Sequence, residues 1–293
     1  MEGILRGAGR RARLTGELVA FPHTIFALPF AIIGMLLGSG GRPTLWQVVW
    51  IVLAMVGART AAMSFNRIAD RRLDALNPRT AGRPLPSGRM PSGTAWVVLA
   101  LSVALFIGAA AALSLLCLAL SPVALGIVLG YSYTKRFTSL SHLVLGMSLA
   151  IAPVGAWLAV AGPASWAPVV LAGAVVSWTA GFDIIYACQD VSFDRSHGLR
   201  SIPARLGIAP ALRISSALHA SMVLLLLALP LAAPGSGLGI LYLAGVIVVA
   251  GVLLYEHSIV KPDDLSRVNL AFFTLNGWVA LLLCGAVIIE QQI

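Results

Sequence analysis

Two acidic clusters hold the side chains of this sequence that are best suited to chemistry. The stretch NRIADRRLD contains Asn66, Asp70 and Asp74 at intervals of four residues, and FDIIYACQDVSFD repeats that interval with Asp190 and Asp194. On a helix, carboxylates four residues apart share a face and repel each other unless a cation lies between them. Aspartate and asparagine oxygens suit Mg²⁺, which often bridges carboxylates to the phosphate oxygens of a substrate.

The charges of the two clusters fit a diphosphate that is bound through two Mg²⁺ ions. Four carboxylates and a diphosphate of charge about −3 exceed the charge of two Mg²⁺ ions by about 3, which basic side chains would have to neutralise. The basic residues near the clusters in sequence are Arg67, Arg71, Arg72, Arg83, Lys135, Arg136 and Arg200. A diphosphate with a lipid tail fits this pattern, whereas solvated, salt-bridged helix ends are the plainer interpretation of a single cluster.

Composition indicates that membrane helices must position these clusters. The chain has 293 residues, of which 59% are hydrophobic and 11% are charged, whereas a soluble domain carries roughly a quarter charged residues. The net charge of +9 would suggest a nucleic-acid partner for a soluble protein. Here the basic residues lie in loops between apolar segments, so we expect no nucleic acid. The three scattered cysteines predict neither a disulfide framework nor a CxxC metal site.

Nine segments are long and apolar enough to cross a bilayer, which takes about 20 residues each. They are residues 17–40, 45–66, 94–113, 114–134, 141–160, 165–188, 211–232, 237–260 and 268–290. The boundary between the third and fourth segments is the weakest, because LSLLCL contains almost no polar break. The sequence therefore predicts an all-α, polytopic membrane protein with one domain over residues 1–293.

The basic residues predict the orientation in the cytoplasmic (inner) membrane. With the N-terminus in the cytoplasm, 18 of the 20 lysines and arginines fall on the cytoplasmic side, and Arg42 and Arg59 are the exceptions. The positive-inside rule then places the C-terminus outside. Residues 1–16 would form a cytoplasmic arm, and we expect no signal-peptide cleavage there. Both acidic clusters fall on the cytoplasmic side, beside loops 66–93 and 189–210.

Three segments of the chain resemble the UbiA superfamily of intramembrane prenyltransferases. NRIADRRLDALNPRTAGRPLPSG resembles the first signature of that family, NxxxDxxxD followed by RTxxRPLPSG, and DIIYACQDVSFDRSHGLRSIPARLG resembles the second. YSYTKRFT resembles its YPxxKR segment. The resemblance covers essentially the whole chain. It implies nine transmembrane helices around a central cavity, with a cytoplasmic cap made from the loops after the second and sixth spans.

The resemblance also implies a reaction and a set of site residues. Asn66, Asp70 and Asp74 would bind one Mg²⁺, and Asp190 and Asp194 the other. The metals would hold the diphosphate of a polyprenyl donor, and the prenyl group would pass to a small aromatic acceptor such as 4-hydroxybenzoate in quinone biosynthesis. Besides these two substrates we expect membrane lipid as a partner. The cations expected to neutralise the diphosphate are Arg67, Lys135 and Arg136 from the resemblance, with Arg71 added by its position.

Four further residues are candidates for the pocket of the acceptor and the allylic carbocation. Tyr131, Tyr133 and Tyr186 lie near the clusters in sequence and offer π faces to a carbocation, although each also fits an interfacial belt. Asp183 lies two turns before Asp190 and would point deeper into the cavity. As an ionisable residue within a span it is a catalytic candidate: it could orient the acceptor hydroxyl or pair with Arg59, and a purely structural pair is equally compatible.

The start of the first span departs from the 4-hydroxybenzoate enzymes of the family. Those enzymes carry arginines there, whereas this chain reads GELVAFPHTIFALPF, with Glu17 and His23. An acceptor carboxylate would then need another cation, and Arg59 and Arg136 are the candidates. The segments FPHTIFALPFA and GFDIIYACQD resemble the corresponding segments of the family branch that is linked to the futalosine route of menaquinone synthesis. Ubiquinone and menaquinone precursors therefore both stay open as products.

Other functions remain compatible with nine spans and intramembrane acidic residues. Prenylation of another aromatic acid or a tetrapyrrole would use the same fold. A transporter is less favoured, since transporter sites usually lie near the bilayer midplane and these carboxylates lie at the rim. A non-catalytic lipid-binding protein would have no need of two DxxxD clusters.

Overall fold

A computed structural model describes residues 14–18 and 26–292 of the chain. The long helices are α1 (Leu28–Gly38), α2 (Leu45–Ala69), α4 (Ser92–Leu113), α5 (Leu115–Thr134), α6 (Ser141–Ala161), α7 (Ala167–Ala187), α10 (Ile208–Ala232), α11 (Ile240–Ile259) and α12 (Asn276–Glu290). The short helices are α3 (Arg71–Leu76) and α8 (Val191–Ser196), which follow α2 and α7, and α9 (Ile202–Leu206), which precedes α10. The described ranges contain no β-strand, so the predicted all-α class is confirmed.

Eight helical segments among the described residues are long and apolar enough to cross a membrane. The chain is therefore an integral membrane protein. The eighth segment combines α12 with the π-helix Leu270–Leu275 that precedes it. The first predicted span, 17–40, is represented by α1, which has 11 residues. Residues 19–25 lie outside the described part of the chain, so the count of nine stays a prediction.

A single residue separates the third span from the fourth. Ser114 has an extended backbone, with φ −166° and ψ 160°, and its hydroxyl accepts a hydrogen bond from the backbone N–H of Cys117. This side-chain cap satisfies one of the free N–H groups at the start of α5. The weak polar break in LSLLCL is thus sufficient to separate the two spans, because one serine both ends α4 and caps α5.

Helix α7 is the most enclosed span and carries the centre of the core. Its Trp178 is fully buried and packs against Phe30 and Phe182, with ring centroids 5.0 and 4.9 Å away. The indole N–H of Trp178 donates to Oδ1 of Asn276 at 2.6 Å, and Nδ2 of Asn276 donates to Glu256 at 2.9 Å. This hydrogen-bonded chain connects α7 to α12 and α11, and it satisfies polar groups that water does not reach.

Small residues allow the spans to approach each other closely. A Cβ atom on Gly146 of α6 would lie 2.6 Å from the carbonyl oxygen of Val176 in α7, and one on Gly57 of α2 would lie 2.9 Å from that of Ser102 in α4. Membrane helices gain little from hydrophobic burial against each other, so backbone contact at small residues is a main source of their packing energy. Both contacts hold spans that carry site residues.

The substitution Gly146→Ala tests the contact between α6 and α7. The added methyl group would press on the Val176 backbone, so we expect a loss of about 1–3 kcal/mol and a melting temperature several degrees lower in detergent. Gly155→Ala on the same helix is the matched control, because its Cβ meets nothing within 4 Å and alanine favours a helix over glycine by about 1 kcal/mol. Equal melting temperatures for the two variants would contradict close packing at Gly146.

Candidate active site

Each acidic cluster lies where a span ends and a short helix begins. Helix α2 ends at Ala69, and α3 starts after Asp70, whose φ and ψ are −96° and 6°. The second cluster repeats this geometry, because α8 starts after Asp190, with φ −101° and ψ 7°. In each case the second aspartate lies in the first turn of a six-residue helix. The repeated four-residue spacing therefore corresponds to a repeated break in the helix.

The first cluster keeps its helical register across this break. Helix α2 ends at Ala69, but the backbone N–H groups of Asp70 and Asp74 still donate to the carbonyls four residues earlier, at 2.9 and 2.7 Å. Asn66 donates from Nδ2 to Oδ2 of Asp70 at 3.0 Å. The three side chains consequently line the same polar cavity.

The loop after α3 connects the two clusters. Arg79 donates to both carboxylate oxygens of Asp190, from Nε at 3.1 Å and from Nη2 at 2.5 Å, and Asn77 donates to the same carboxylate at 3.3 Å. Arg79 also donates to the hydroxyl of Tyr186 at 2.8 Å. Burial alone would lower the pKa of Arg79, but the hydrogen bond and charge of Asp190 outweigh it and raise that pKa. The two helix ends therefore face each other across one site.

The second aspartate of each cluster is buried and is bound by a loop residue. Oδ1 of Asp74 accepts from Nη1 of Arg83 at 2.7 Å, and Oδ2 of Asp194 accepts from the hydroxyl of Ser201 at 2.8 Å. The other oxygen of Asp74, Oδ2, is buried and has no hydrogen-bond partner among the described residues. A buried carboxylate oxygen without a donor is a position that favours a cation.

Asp70 is bound from the loop between α5 and α6. Nη2 of Arg136 donates to Oδ1 of Asp70 at 3.1 Å and to the carbonyl of Ala69 at 2.7 Å. Burial raises the pKa of Asp70 above its ordinary value, and the charge of Asp74 adds to that, while the hydrogen bond from Arg136 opposes it. A positive charge in the cavity would favour the ionised form.

A polar cavity of about 180 Å³ contains all five residues predicted to bind metal. Its other predicted members are Arg67, Lys135, Arg136, Tyr131, Asp183 and Tyr186. Arg67 is buried, and its Nε has no hydrogen-bond partner in residues 14–18 and 26–292. The sequence thus brings most of its candidate cations and all of its acidic candidates to one chamber.

A second, apolar cavity of about 620 Å³ adjoins the polar one. Asn66, Tyr131, Asp183 and Tyr186 line both, so these four residues mark the boundary between a charged chamber and an apolar one. Arg59 lines only the apolar cavity, and its Nε lacks a hydrogen-bond partner in the part of the chain that is described. Phe182 and Phe272 add aromatic faces near the boundary, with ring centroids 5.2 Å apart.

Two predicted site residues do not line either cavity. Arg71 is exposed and donates to the hydroxyl of Ser92 at 2.8 Å. Tyr133 is 41% exposed, and the guanidinium of Arg136 lies 4.8 Å from its ring centroid. Arg71 therefore braces the start of α4, and Tyr133 supports Arg136 from outside the chamber.

Asp183 has a different partner from the arginine considered in the sequence. Its Oδ2 lies 2.7 Å from Nδ1 of His142 in α6, so the suggested pair with Arg59 is wrong. Hydropathy fixes the depth of a residue in the membrane but not the direction it faces. No local pattern marks His142, which lies 41 positions before Asp183.

Sequence reasoning missed the direct role of the loop residues Asn77 and Arg79, and it named Arg83 only as a basic residue near the clusters. The quoted segment RTAGRPLPSG contains both arginines, so a signal was present in that motif. Composition alone predicts only a loop for this segment, because Gly, Pro and Ser dominate it. Its arginines fold back onto the carboxylates of both clusters.

The oxygen donors of the polar cavity fit Mg²⁺ chemically. Four carboxylates and one carboxamide are hard ligands of the kind that Mg²⁺ prefers, and Oδ2 of Asp74 is buried with no donor. The described residues contain no group of three His, Cys, Asp or Glu side chains already arranged to hold a metal. In this structure the carboxylates are bound instead by Arg79, Arg83, Arg136 and Ser201.

Comparison with known proteins identifies relatives along almost the full chain. A family profile described as the UbiA prenyltransferase family matches residues 27–278. The 4-hydroxybenzoate octaprenyltransferase of Vibrio cholerae serotype O1 is 30% identical over 287 residues, which cover 96% of this chain and 95% of the relative.

Solved structures share the same fold. The apo structure of a UbiA homologue from Aeropyrum pernix K1 superimposes with a TM-score of 0.83 at 40% identity and covers 92% of this chain and 98% of that one. A UbiA homologue from Archaeoglobus fulgidus, bound to DMAPP and Mg²⁺, has a TM-score of 0.76 at 20% identity and covers 95% of this chain and 99% of that one.

The substitution Arg79→Leu tests the connection between the clusters. Removing a bidentate, partly solvated charge pair should cost roughly 1–2 kcal/mol. Amide hydrogen exchange over residues 77–90 should then be roughly 5–30 times faster, because local opening becomes easier. Arg72→Leu is the matched control, since Arg72 is exposed. Unchanged exchange in the Arg79 variant would contradict a loop held by Asp190.

Proposed function

The chain belongs to the UbiA prenyltransferase family and is a prenyltransferase, and on that premise we propose a specific reaction for it. The enzyme transfers a polyprenyl group from a polyprenyl diphosphate to a small aromatic acceptor such as 4-hydroxybenzoate, with Mg²⁺, in the synthesis of a quinone. The pathway is that of ubiquinone or of menaquinone.

The junction of a charged chamber with an apolar chamber carries this proposal. A polyprenyl diphosphate has the same division, with a strongly anionic head and a hydrocarbon tail. Five basic residues, Arg67, Arg79, Arg83, Lys135 and Arg136, line the chamber for the head. The 620 Å³ apolar cavity lies within the usual size range of small-molecule sites, roughly 300–1,000 Å³. The reacting allylic carbon would then lie beside Asn66, Tyr131, Asp183 and Tyr186.

Asn66, Asp70, Asp74, Asp190 and Asp194 are the residues that would hold Mg²⁺. The bound metal supplies charge that neutralises the diphosphate and stabilises it as a leaving group. The A. fulgidus homologue, which has this fold, is bound to Mg²⁺ together with DMAPP. That observation supports the same cofactor here.

The protein's own cations assist the breaking of the C–O bond. When that bond breaks, its electron pair leaves with the diphosphate, so negative charge develops on the leaving oxygen. Arg67, Lys135 and Arg136 lie in the chamber wall before the reaction begins, so their positive charge is already close to the place where the leaving oxygen becomes negative. Such preorganised charge is usually the largest contribution to catalysis.

The aromatic side chains at the boundary would protect the allylic carbocation. Tyr131 and Tyr186 offer π faces to a cation, and the apolar wall excludes water that would capture it. A new C–C bond forms between the allylic carbon and a ring carbon of the acceptor, and that ring carbon loses its proton to the released diphosphate. Asp183 would accept a hydrogen bond from the acceptor hydroxyl and make the ring more nucleophilic.

Arg59 supports an acceptor that carries a carboxylate. Its guanidinium is in an apolar wall, and its Nε has no partner among the described side chains and backbone groups. A buried cation is costly unless an anion neutralises it. An aromatic acid would supply that anion, and the match to an enzyme named 4-hydroxybenzoate octaprenyltransferase agrees with this choice.

The chamber geometry favours this function over the alternatives. A tetrapyrrole would need wider access than a cavity of about 620 Å³ that also holds a prenyl chain. A transporter would concentrate its charged residues near the midplane, whereas these carboxylates lie at the ends of α2 and α7. The excess of basic residues in the loops supports an orientation in the inner membrane with the N-terminus and both acidic clusters on the cytoplasmic side.

The substitutions Asp70→Ala and Asp190→Ala should each abolish prenyl transfer. Each removes a carboxylate from the proposed Mg²⁺ and diphosphate site, so we expect the rate to fall by roughly 100-fold or more. Transfer from a radiolabelled polyprenyl diphosphate in membranes measures the effect. Asp263→Ala, in an exposed loop, is the matched control and should retain activity. Full activity in either site variant would refute the hypothesis that each acidic cluster binds one Mg²⁺.

Mg²⁺ and a carboxylate acceptor should both be required for product formation. Purified protein is incubated with labelled geranyl or longer diphosphate, with Mg²⁺ or with a chelator. The acceptors compared are 4-hydroxybenzoate, 1,4-dihydroxy-2-naphthoate and phenol as a control without a carboxylate. We expect product only with Mg²⁺ and an aromatic acid. Product with phenol at an equal rate would exclude the role given to Arg59.

A further inference from the structure

His142 is a buried histidine in contact with the boundary of the two chambers. The side chain of His142 is 0% exposed, while that of Asp183 is 12% exposed and lines both cavities. The two are joined at 2.7 Å between Nδ1 and Oδ2. The ring therefore contacts the carboxylate on the side that faces away from the two chambers.

The surrounding hydrogen bonds select one tautomer of His142. The backbone N–H of Ile202 donates to Nε2 at 3.3 Å, so Nε2 acts as an acceptor and carries no proton. The ring proton is then on Nδ1, where it is donated to Asp183. Asp183 is then the acceptor of that hydrogen bond, which fixes the orientation of its carboxylate.

The segment 200–202 connects this pair to the diphosphate chamber. The N–H of Arg200 donates to the carbonyl of Lys135 at 2.7 Å, and the hydroxyl of Ser201 donates to Asp194 at 2.8 Å. The next residue, Ile202, donates to His142. Three consecutive residues thus contact a cation of the chamber, a carboxylate of the second cluster and the histidine behind Asp183.

We propose that His142 is a positioning residue for the acceptor half of the reaction. It orients Asp183, so that the carboxylate accepts the hydrogen bond of the acceptor hydroxyl beside the allylic carbon. The inference rests on the proposed function, in which Asp183 meets the acceptor. The role requires one donor and one acceptor at fixed positions, which the carboxamide of glutamine also provides.

Steady-state kinetics of three variants test the role. His142→Leu, which lacks both polar atoms, should lower kcat by roughly 10- to 100-fold and leave the KM for the donor within twofold. His142→Gln should recover at least a third of the wild-type kcat. His257→Gln is the matched control, because His257 is bonded to Ser216 and His219, outside both cavities, and its activity should stay within twofold.

A double-mutant cycle separates positioning from a general structural effect. In an Asp183→Asn background, His142→Leu should reduce kcat by less than twofold further, because both substitutions interrupt one interaction. Melting temperatures and binding of an unreactive prenyl diphosphate analogue report folding and donor binding. Losses that multiply, a leucine variant with full kcat, or a glutamine variant as impaired as the leucine variant would each overturn the proposal.

The tautomer of His142 gives a readout that does not depend on activity. Nitrogen-15 NMR of histidine-labelled protein, with the signal assigned by its loss in His142→Gln, should show a proton on Nδ1. A proton on Nε2 would overturn the proposal. If the wild-type protein transfers no prenyl group to any acceptor while the Nδ1 tautomer is observed, the proposed function fails and the geometry behind Asp183 stands.

Discussion

The arrangement of the site depends on the neutralisation of carboxylates at the rim of an apolar bundle. Removing a charge from water costs several kcal/mol unless a partner compensates it, and Asp74, Asp190 and Asp194 are all buried. The two arginines bound to Asp74 and Asp190 come from the loop after α3 and not from the helices that carry those carboxylates. The need for neutralisation therefore folds the loops over the helix ends and closes the polar chamber.

Both clusters meet this constraint at a break in the helix. The backbone leaves regular α-helical geometry at Asp70 and Asp190 and continues as α3 and α8. Asp74 and Asp194, in the first turns of these short helices, line the polar chamber together with Asp70 and Asp190. Two helix ends with the same backbone geometry would then enclose the charged head of the proposed prenyl diphosphate, and the spans would enclose its tail.

Local sequence patterns predicted much of this architecture, but they could not predict which residues pair when they are far apart in the sequence. Hydropathy predicted nine spans, and eight of them correspond to helical segments among the described residues that are long enough to cross a membrane. The four-residue spacing identified the acidic clusters, because hydropathy and spacing are both properties of neighbouring residues. Arg79 is 111 positions from Asp190, and His142 is 41 positions from Asp183. Such pairs depend on how helices rotate about their axes, which hydropathy does not encode. The proposed pair of Asp183 with Arg59 was wrong for that reason, although both residues were correctly assigned to the cavity walls.

The exposure of the ion pairs divides them into exchangeable and fixed ones. Arg79, Arg83 and Arg136 are 34, 28 and 39% exposed in their side chains, so solvent screens the arginine side of each pair although the carboxylates are largely buried. In the proposed reaction the diphosphate would compete for these arginines, and Mg²⁺ would take their place on the carboxylates. The ring of His142 is fully buried and also accepts the N–H of Ile202. In the proposed reaction the arginine pairs would respond to the charge of the donor head, while His142 would hold Asp183 in one geometry.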